Sequence, residues 1–390
     1  METRFPVHLF VSTPRGPEPF SSRQVRAPLP HDPDAPALVC GPYFKALVRL
    51  LLEDDARLLR QASRNFPGSR CRDESPCELN LCSEKHGAFY HVARVEARFP
   101  HGGFSLGLDV AASPRGRACM DREYDLLREL SGRFQPPRVP RPLFKGEALY
   151  EDEGGERLLL QVMGVEWFDD HHEFHLSRSP GGGDAPVVKV WDWARGEAFL
   201  TVPQTRSLYR GAAEILTGCM DPLDFRQIHP WHHAAGDMVL RRLGDEVDVK
   251  LITVRDFRCL CPPGKTPEEC WLALACFFFH LTVRLRLDRL DGTGEYAWAP
   301  PSCLAPAVEG FLGGWDRKTG ACPCLPPSAE VLDVFRRFGP KEWASLGETV
   351  LSGGLVEAGE GEFLRARLKE HITSLMNALT ETDGPAASAA

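Results

Sequence analysis

Apolar and polar positions divide the chain before any motif is considered. Residues 43–64 place Leu47, Leu50, Leu51, Leu58 and Leu59 at helical spacing, which predicts a strong amphipathic helix. From residue 85 the period changes to two. Residues 87–98 alternate after a glycine, His101-Gly102-Gly103 predicts a turn, and 104–112 predict the returning strand. Residues 121–130 then put Tyr124, Leu127 and Leu130 on one helical face. Pro136, Pro137, Pro140 and Pro142 predict an extended link, followed by strands over 143–150 and 157–163 around an acidic turn. This order describes a small antiparallel sheet with one helix against it.

The second half is mainly helical. Helices are predicted over 204–219, 267–289, 305–313, 329–338 and 363–380, with a short strand at 187–191 and a loop at Gly181-Gly182-Gly183. Within this half lies one polar stretch, residues 227–257. His229, Trp231, His232, His233 and Asp237 fall in nine residues. A strand over 238–241, a turn at Gly244-Asp245 and an alternating run over 247–254 predict a hairpin, with Arg255-Asp256-Phe257 at its end. The domain reading is an N-terminal arm and helix (1–84), a sheet-rich N-lobe (85–163), a hinge-like connector (164–176) and a helical C-lobe (177–390). The fold class expected is α+β in two lobes. Residues 1–38, rich in Pro and Arg, read as a loosely docked arm with a strand candidate at 5–12.

Composition narrows the function classes. At 390 residues the chain exceeds the usual size of one core. A net charge of −8 with no basic run argues against a nucleic-acid role, because neutralising phosphates needs clustered Lys and Arg. The most apolar segment, 270–283, contains a histidine and is shorter than the ~20 residues that span a bilayer. No signal peptide is read at the N-terminus, and the thirteen cysteines are an odd count. These features lead to the expectation of a cytoplasmic protein with no disulfide framework.

The order of elements over residues 85–313 resembles the protein-kinase-like fold, in its aminoglycoside-phosphotransferase and lipopolysaccharide-kinase branch. Lys85-His86-Gly87-Ala88-Phe89-Tyr90-His91-Val92 resembles the glycine loop between the first two strands. Glu123 resembles the ion-pairing glutamate of the N-lobe helix. Residues 162–167, with Glu166, resemble the hinge. His232-His233-Ala234-Ala235-Gly236-Asp237-Met238-Val239-Leu240 is similar to the branch's catalytic loop, and residues 251–256 to the strand that ends in the second metal-binding aspartate. The resemblance implies Gly87, Glu123 and Glu166 as cofactor-binding residues, His232 and His233 as catalytic, and Asp237 and Asp256 as metal ligands. Mg²⁺ and ATP are the cofactors it implies, with a small molecule or lipopolysaccharide sugar as phosphate acceptor. Two departures stand out. The strand 104–112 carries no lysine for the nucleotide phosphates, and the catalytic aspartate's place falls on His232.

The residues allow three readings. Asp237 and Asp256 are hard oxygen ligands that suit Mg²⁺, and an imidazole could orient a hydroxyl near neutral pH. Lys85, Arg94 or Lys250 would then have to supply the phosphate cation. The alternative is a catalytically inactive kinase-like module that binds a ligand or a protein partner. A third reading is a metal-dependent enzyme. It would use Asp169, Asp170, His171, His172 and His175 with His229, His232, His233 and Asp237, or four thiolates from Cys259, Cys261, Cys322 and Cys324. On the bland reading these groups are packing and hydrogen-bonding residues, Asp237 turns its loop and Asp256 pairs with Arg255 or Arg258. Arg284, Arg286, Asp288 and Arg289 are expected on a solvated or salt-bridged face.

Overall fold

A computed structural model describes residues 5–30, 34–66, 68–71, 74–231, 236–262, 266–352 and 359–382. The chain forms two compact units. Residues 1–132 and 139–169 make the first, and residues 133–138 and 170–390 the second.

In the first unit the elements are β1 (Val7–Thr13), β2 (Gly16–Pro19), α1 (Cys40–Asn65), β3 (Glu78–His86), β4 (His91–Phe99), β5 (Gly102–Ala111), α2 (Pro114–Leu130), β6 (Pro142–Glu151) and β7 (Arg157–Glu166). They build one seven-stranded sheet in the order β2-β1-β3-β4-β5-β7-β6. Alternation sets the faces: Ala93, Val95, Ala97 and Phe99 of β4 are buried, while Arg98 between them is exposed. The pairings are antiparallel except β1 with β3, where Val7 lies beside Leu79 and Leu9 beside Leu81. The sheet is therefore mixed, not purely antiparallel as the pattern predicted. The strand candidate at 5–12 is present as β1 and belongs to this sheet, so that part of the expected arm is docked.

α1 lies across β6. A Cβ at Gly146 would sit 3.2 Å from a Leu58 methyl and 3.3 Å from a Leu50 methyl, so the absent side chain lets the helix approach. The core of this unit joins Leu47, Leu51 and Leu59 of α1 to Leu79, Val95, Leu106 and Val162 of the sheet. α2 begins earlier than the expected 121. Ser113 Oγ accepts the Gly116 N–H at 3.0 Å and Pro114 occupies the first turn, where its missing N–H costs nothing.

The second unit contains β8 (Phe174–Ser177), β9 (Val187–Val190), β10 (Ala198–Phe199), α3 (Val202–Cys219), β11 (Arg226–Ile228), β12 (Met238–Leu243), β13 (Glu246–Leu251) and β14 (Phe257–Cys259). It continues with α4 (Pro267–Arg286), β15 (Leu287–Arg289), β16 (Tyr296–Trp298), α5 (Leu304–Ala321), α6 (Ser328–Arg337), α7 (Pro340–Ser352) and α8 (Glu360–Glu381). Phe278, Phe311, Phe335 and Trp343 stack at its centre, with ring centroids 4.7–6.1 Å apart around Phe278. α3 and α5 come close because a Cβ on Gly310 would collide with the Arg210 carbonyl, and one on Gly314 would lie 2.8 Å from the Glu214 carbonyl.

The fold class is α+β, sheet-rich in the first unit and mainly helical in the second. No helix among the described residues is long and apolar enough to cross a membrane.

Candidate functional site

The polar hairpin is present. β12 and β13 pair antiparallel from Met238↔Leu251 to Leu243↔Glu246 across the Gly244 turn, where φ is 60°. The second strand ends at Leu251, short of the expected 254. The chain then runs on to β14, which pairs with β11 through Ile228↔Phe257. The segment from 252 to 256 thus joins two ribbons. At one end the Ile252 N–H donates to the Asp237 carbonyl at 2.8 Å. At the other the His229 N–H donates to the Asp256 carbonyl at 3.1 Å.

The side chain of Asp237 is 1% exposed, and a guanidinium holds it. Arg255 Nη1 donates to Oδ2 at 2.9 Å, and Nη2 lies 2.7 Å from Oδ1. One hydrogen bond to Oδ2 and an ion-pair contact to Oδ1 set the guanidinium against the carboxylate. Asp256 has different partners: Oδ1 accepts the Phe257 N–H at 2.8 Å and Oδ2 accepts Arg258 Nε at 2.6 Å. Asp237 and Asp256 are therefore matched to different arginines. Of the two partners expected for Asp256, Arg255 or Arg258, it is Arg258 that pairs with it; Arg255 pairs with Asp237, eighteen residues back. His232 and His233 lie outside the described residues.

α4 supports the loop ahead of the hairpin. Arg284 Nη2 donates to the Trp231 carbonyl at 3.0 Å, while its Nη1 donates to Glu360 at 2.6 Å. His280 lies 3.2 Å from Gln227 Oε1 and its ring stands 5.8 Å from His229. Burial, then the neighbouring Arg284 and His229, push His280 well below the usual imidazole range, so it is neutral. Of the solvated or salt-bridged face expected for Arg284 and Arg286, the salt bridges are present, but both side chains are buried. Arg286 places its guanidinium 3.1 Å from Glu370 and 4.3 Å from the Trp298 ring.

The expected phosphate cations are committed to other partners. In the second unit Lys250 Nζ donates to the Pro137 carbonyl at 2.7 Å and lies 3.1 Å from Asp248. In the first, Arg94 lies 3.0 Å from Glu84 and 2.9 Å from Glu96, and Lys85 is exposed near the end of β3. Gly87 is exposed in the β3–β4 turn, its N–H donating to the Tyr90 carbonyl at 2.8 Å. Glu166 ends β7, and its Oε2 accepts the Arg141 N–H at 3.3 Å.

Glu123 on α2 is buried, and the acidic group it senses is on β5. Asp109 retains some exposed area, yet protein atoms crowd its carboxyl. Burial first, and then the Glu123 carboxylate, push it up to about 8. Burial, Glu123 and Cys119 also raise the Tyr90 phenol. β5 thus contributes an acid where the resemblance expects a lysine. The signal was legible in the sequence, as a lone aspartate within the apolar run Leu106-Gly107-Leu108-Asp109-Val110.

The connector histidines of the metal reading are each paired with an acid. His171 lies 3.2 Å from Asp248, His172 lies 3.5 Å from Asp192, and His175 lies 3.6 Å from Asp288. Each imidazole has an acidic partner of its own. Burial would raise Asp248, but the His171 and Lys250 contacts outweigh it and hold the carboxyl at about 2. Cys261 hydrogen-bonds to Cys276, and Cys322 is next to Cys324, so the four thiolates are divided. Among the described residues no group of three or more His, Cys, Asp or Glu could hold a metal ion.

Comparison with protein-family models and with curated proteins gives no match. Among solved structures, the chain is similar to the Drosophila melanogaster PAN3 pseudokinase at 10% identity and a TM-score of 0.28, over 75% of this chain. It spans 62% of that chain's length. A superposition at that level carries no argument about activity.

Proposed function

We propose that this chain is a kinase-like module that has given up phosphoryl transfer and serves as a binding module for a ligand or a protein partner. The observation that carries this reading is the Asp237–Arg255 pair. Phosphoryl transfer needs carboxylates free to hold Mg²⁺ against the phosphates and a cation to neutralise them. Here a guanidinium already meets both oxygens of the first candidate ligand, and the second is bound to Arg258 and a backbone N–H. These pairings count against a resident Mg-ATP. Asp109 beside Glu123 adds to this reading, since a carboxyl held largely protonated on β5 supplies no cation for a nucleotide phosphate.

The test is thermal melting of the full chain with millimolar Mg-ATP. A site filled at a hundred times its Kd stabilises by about 2.7 kcal/mol, a rise easily read as Tm. The expected result is a Tm unchanged by Mg-ATP. A rise of several degrees that disappears in Asp237→Asn would restore the phosphotransferase reading, with a small molecule or lipopolysaccharide sugar as acceptor.

A further inference from the structure

α5 is capped by Cys322, whose N–H donates to the Lys318 carbonyl at 2.8 Å. The next residues, Cys322-Pro323-Cys324-Leu325, fold into a tight turn closed by the Leu325 N–H on the Cys322 carbonyl at 3.1 Å. Pro323 sits at the second position, where its fixed φ suits the turn. Beyond the turn, the Pro326 carbonyl accepts the Trp315 indole N–H at 2.8 Å, which ties the outgoing chain back to α5. Held at both ends, the turn brings Cys322 Sγ to 2.7 Å from Cys324 Sγ. Bonded sulfurs lie at about 2.05 Å, so little movement separates the two thiols from a bond.

All thirteen cysteines lie among the described residues and are free thiols. Most are buried, as Cys40, Cys119, Cys219 and Cys303 are; Cys324 is exposed and Cys322 half-buried. Cys77 and Cys270 are also exposed, but Cys77 Sγ donates to the Arg98 carbonyl at 3.4 Å. The Cys322–Cys324 pair thus joins thiol proximity to solvent access.

We propose that Cys322 and Cys324 are a reversible redox-modification site, closed to an intraloop disulfide by a small disulfide oxidant of the glutathione class. The Cys322 thiolate attacks one sulfur of glutathione disulfide, breaks its S–S bond and releases one glutathione thiolate. Cys324 then loses its proton to solvent and attacks Cys322 Sγ, expelling the second glutathione thiolate. Two protein thiols and one glutathione disulfide become one protein disulfide and two glutathiones. The hydrogen bond to Cys322 raises the Cys324 thiol, so Cys324 keeps its proton until the second step. An exposed bond closing so small a ring is of the labile, readily reduced kind.

The full chain, equilibrated with glutathione disulfide, is alkylated, digested and analysed by mass spectrometry. The expected peptide carries Cys322 and Cys324 unalkylated, lacks two hydrogens, and is restored by dithiothreitol. Its dialkylated form should fall about tenfold where the Cys77 and Cys270 peptides fall less than about twofold, a contrast equal to a modest difference in redox equilibrium. In Cys324→Ser the reaction should stop at a stable glutathione adduct on Cys322. Persistence of the dialkylated peptide in the wild type would overturn the proposal. So would glutathione carried on both sulfurs.

Discussion

At the scale of single residues, the decisive contact is Arg255 on Asp237. The carboxylate is 1% exposed and the guanidinium 18%, so the pair is largely out of water. Removing one partner of such a pair leaves a charge buried without compensation, which costs about 3–5 kcal/mol. Arg255→Ala should therefore lower the unfolding free energy read from urea denaturation by that much, while Arg258→Ala, which loses an exposed partner of Asp256, should cost under about 1 kcal/mol. Equal losses in the two variants would show that Asp237 is not the buried charge described. Nothing local announces this pairing. Arg255 and Arg258 look alike in the sequence, and the choice between them is made by the fold-back of residues 252–256.

At the scale of elements, periodicity was a good guide wherever one face meets a core. The helix over 43–64, the β4–β5 hairpin, the β12–β13 hairpin and the closing helix are all present. α1 itself is broken at Glu53–Ala56, where Asp54, Asp55 and Ala56 take φ of 50°, 56° and 56°; the leucine pattern runs through the break and gave no sign of it. Ends were less legible. The long helix expected over 267–289 stops at Arg286, and Leu287–Arg289 leave it as a strand paired with β16. Leu287 pairs across with Trp298, a partner no local pattern contains. The α3–α5 crossing yields a test. Gly310 faces the Arg210 carbonyl with no room for a methyl group. Gly310→Ala should destabilise by about 1–3 kcal/mol despite alanine's better helix propensity. Gly320→Ala near the end of α5 meets nothing within 4 Å and should be neutral or mildly stabilising. Calorimetric Tm values of the two variants separate packing from propensity.

At the scale of the whole molecule, each unit keeps a neutral histidine inside. Burial, and then His86, lower His91 of the first unit to about 4. Burial, and then Arg286, lower His371 of the second to about 3. Both values lie below the unfolded ~6.5, so the unfolded state takes up protons first. The stability these residues contribute is complete above pH 6.5 and is lost as pH falls toward 4 and then 3. Fully expressed, the shifts correspond to about 3 kcal/mol for His91 and about 5 kcal/mol for His371. Urea midpoints should fall steadily from pH 6.5 to 4, and His371→Gln should flatten the profile. A midpoint constant across that range would mean that the rings are charged in the folded state.

The sequence by itself determined the α+β class, the order of a sheet-rich half before a helical one, and the existence of the polar hairpin. All of these follow from side-chain period, which depends on neighbours two to four residues away. Tertiary structure alone decided the parallel docking of β1 on β3, the burial of Arg284 and Arg286, the separate acidic partner of each connector histidine, and the partner of Asp237. Those outcomes depend on which distant groups share a desolvated space. Charge pairing inside a protein is settled by that geometry and not by spacing along the chain.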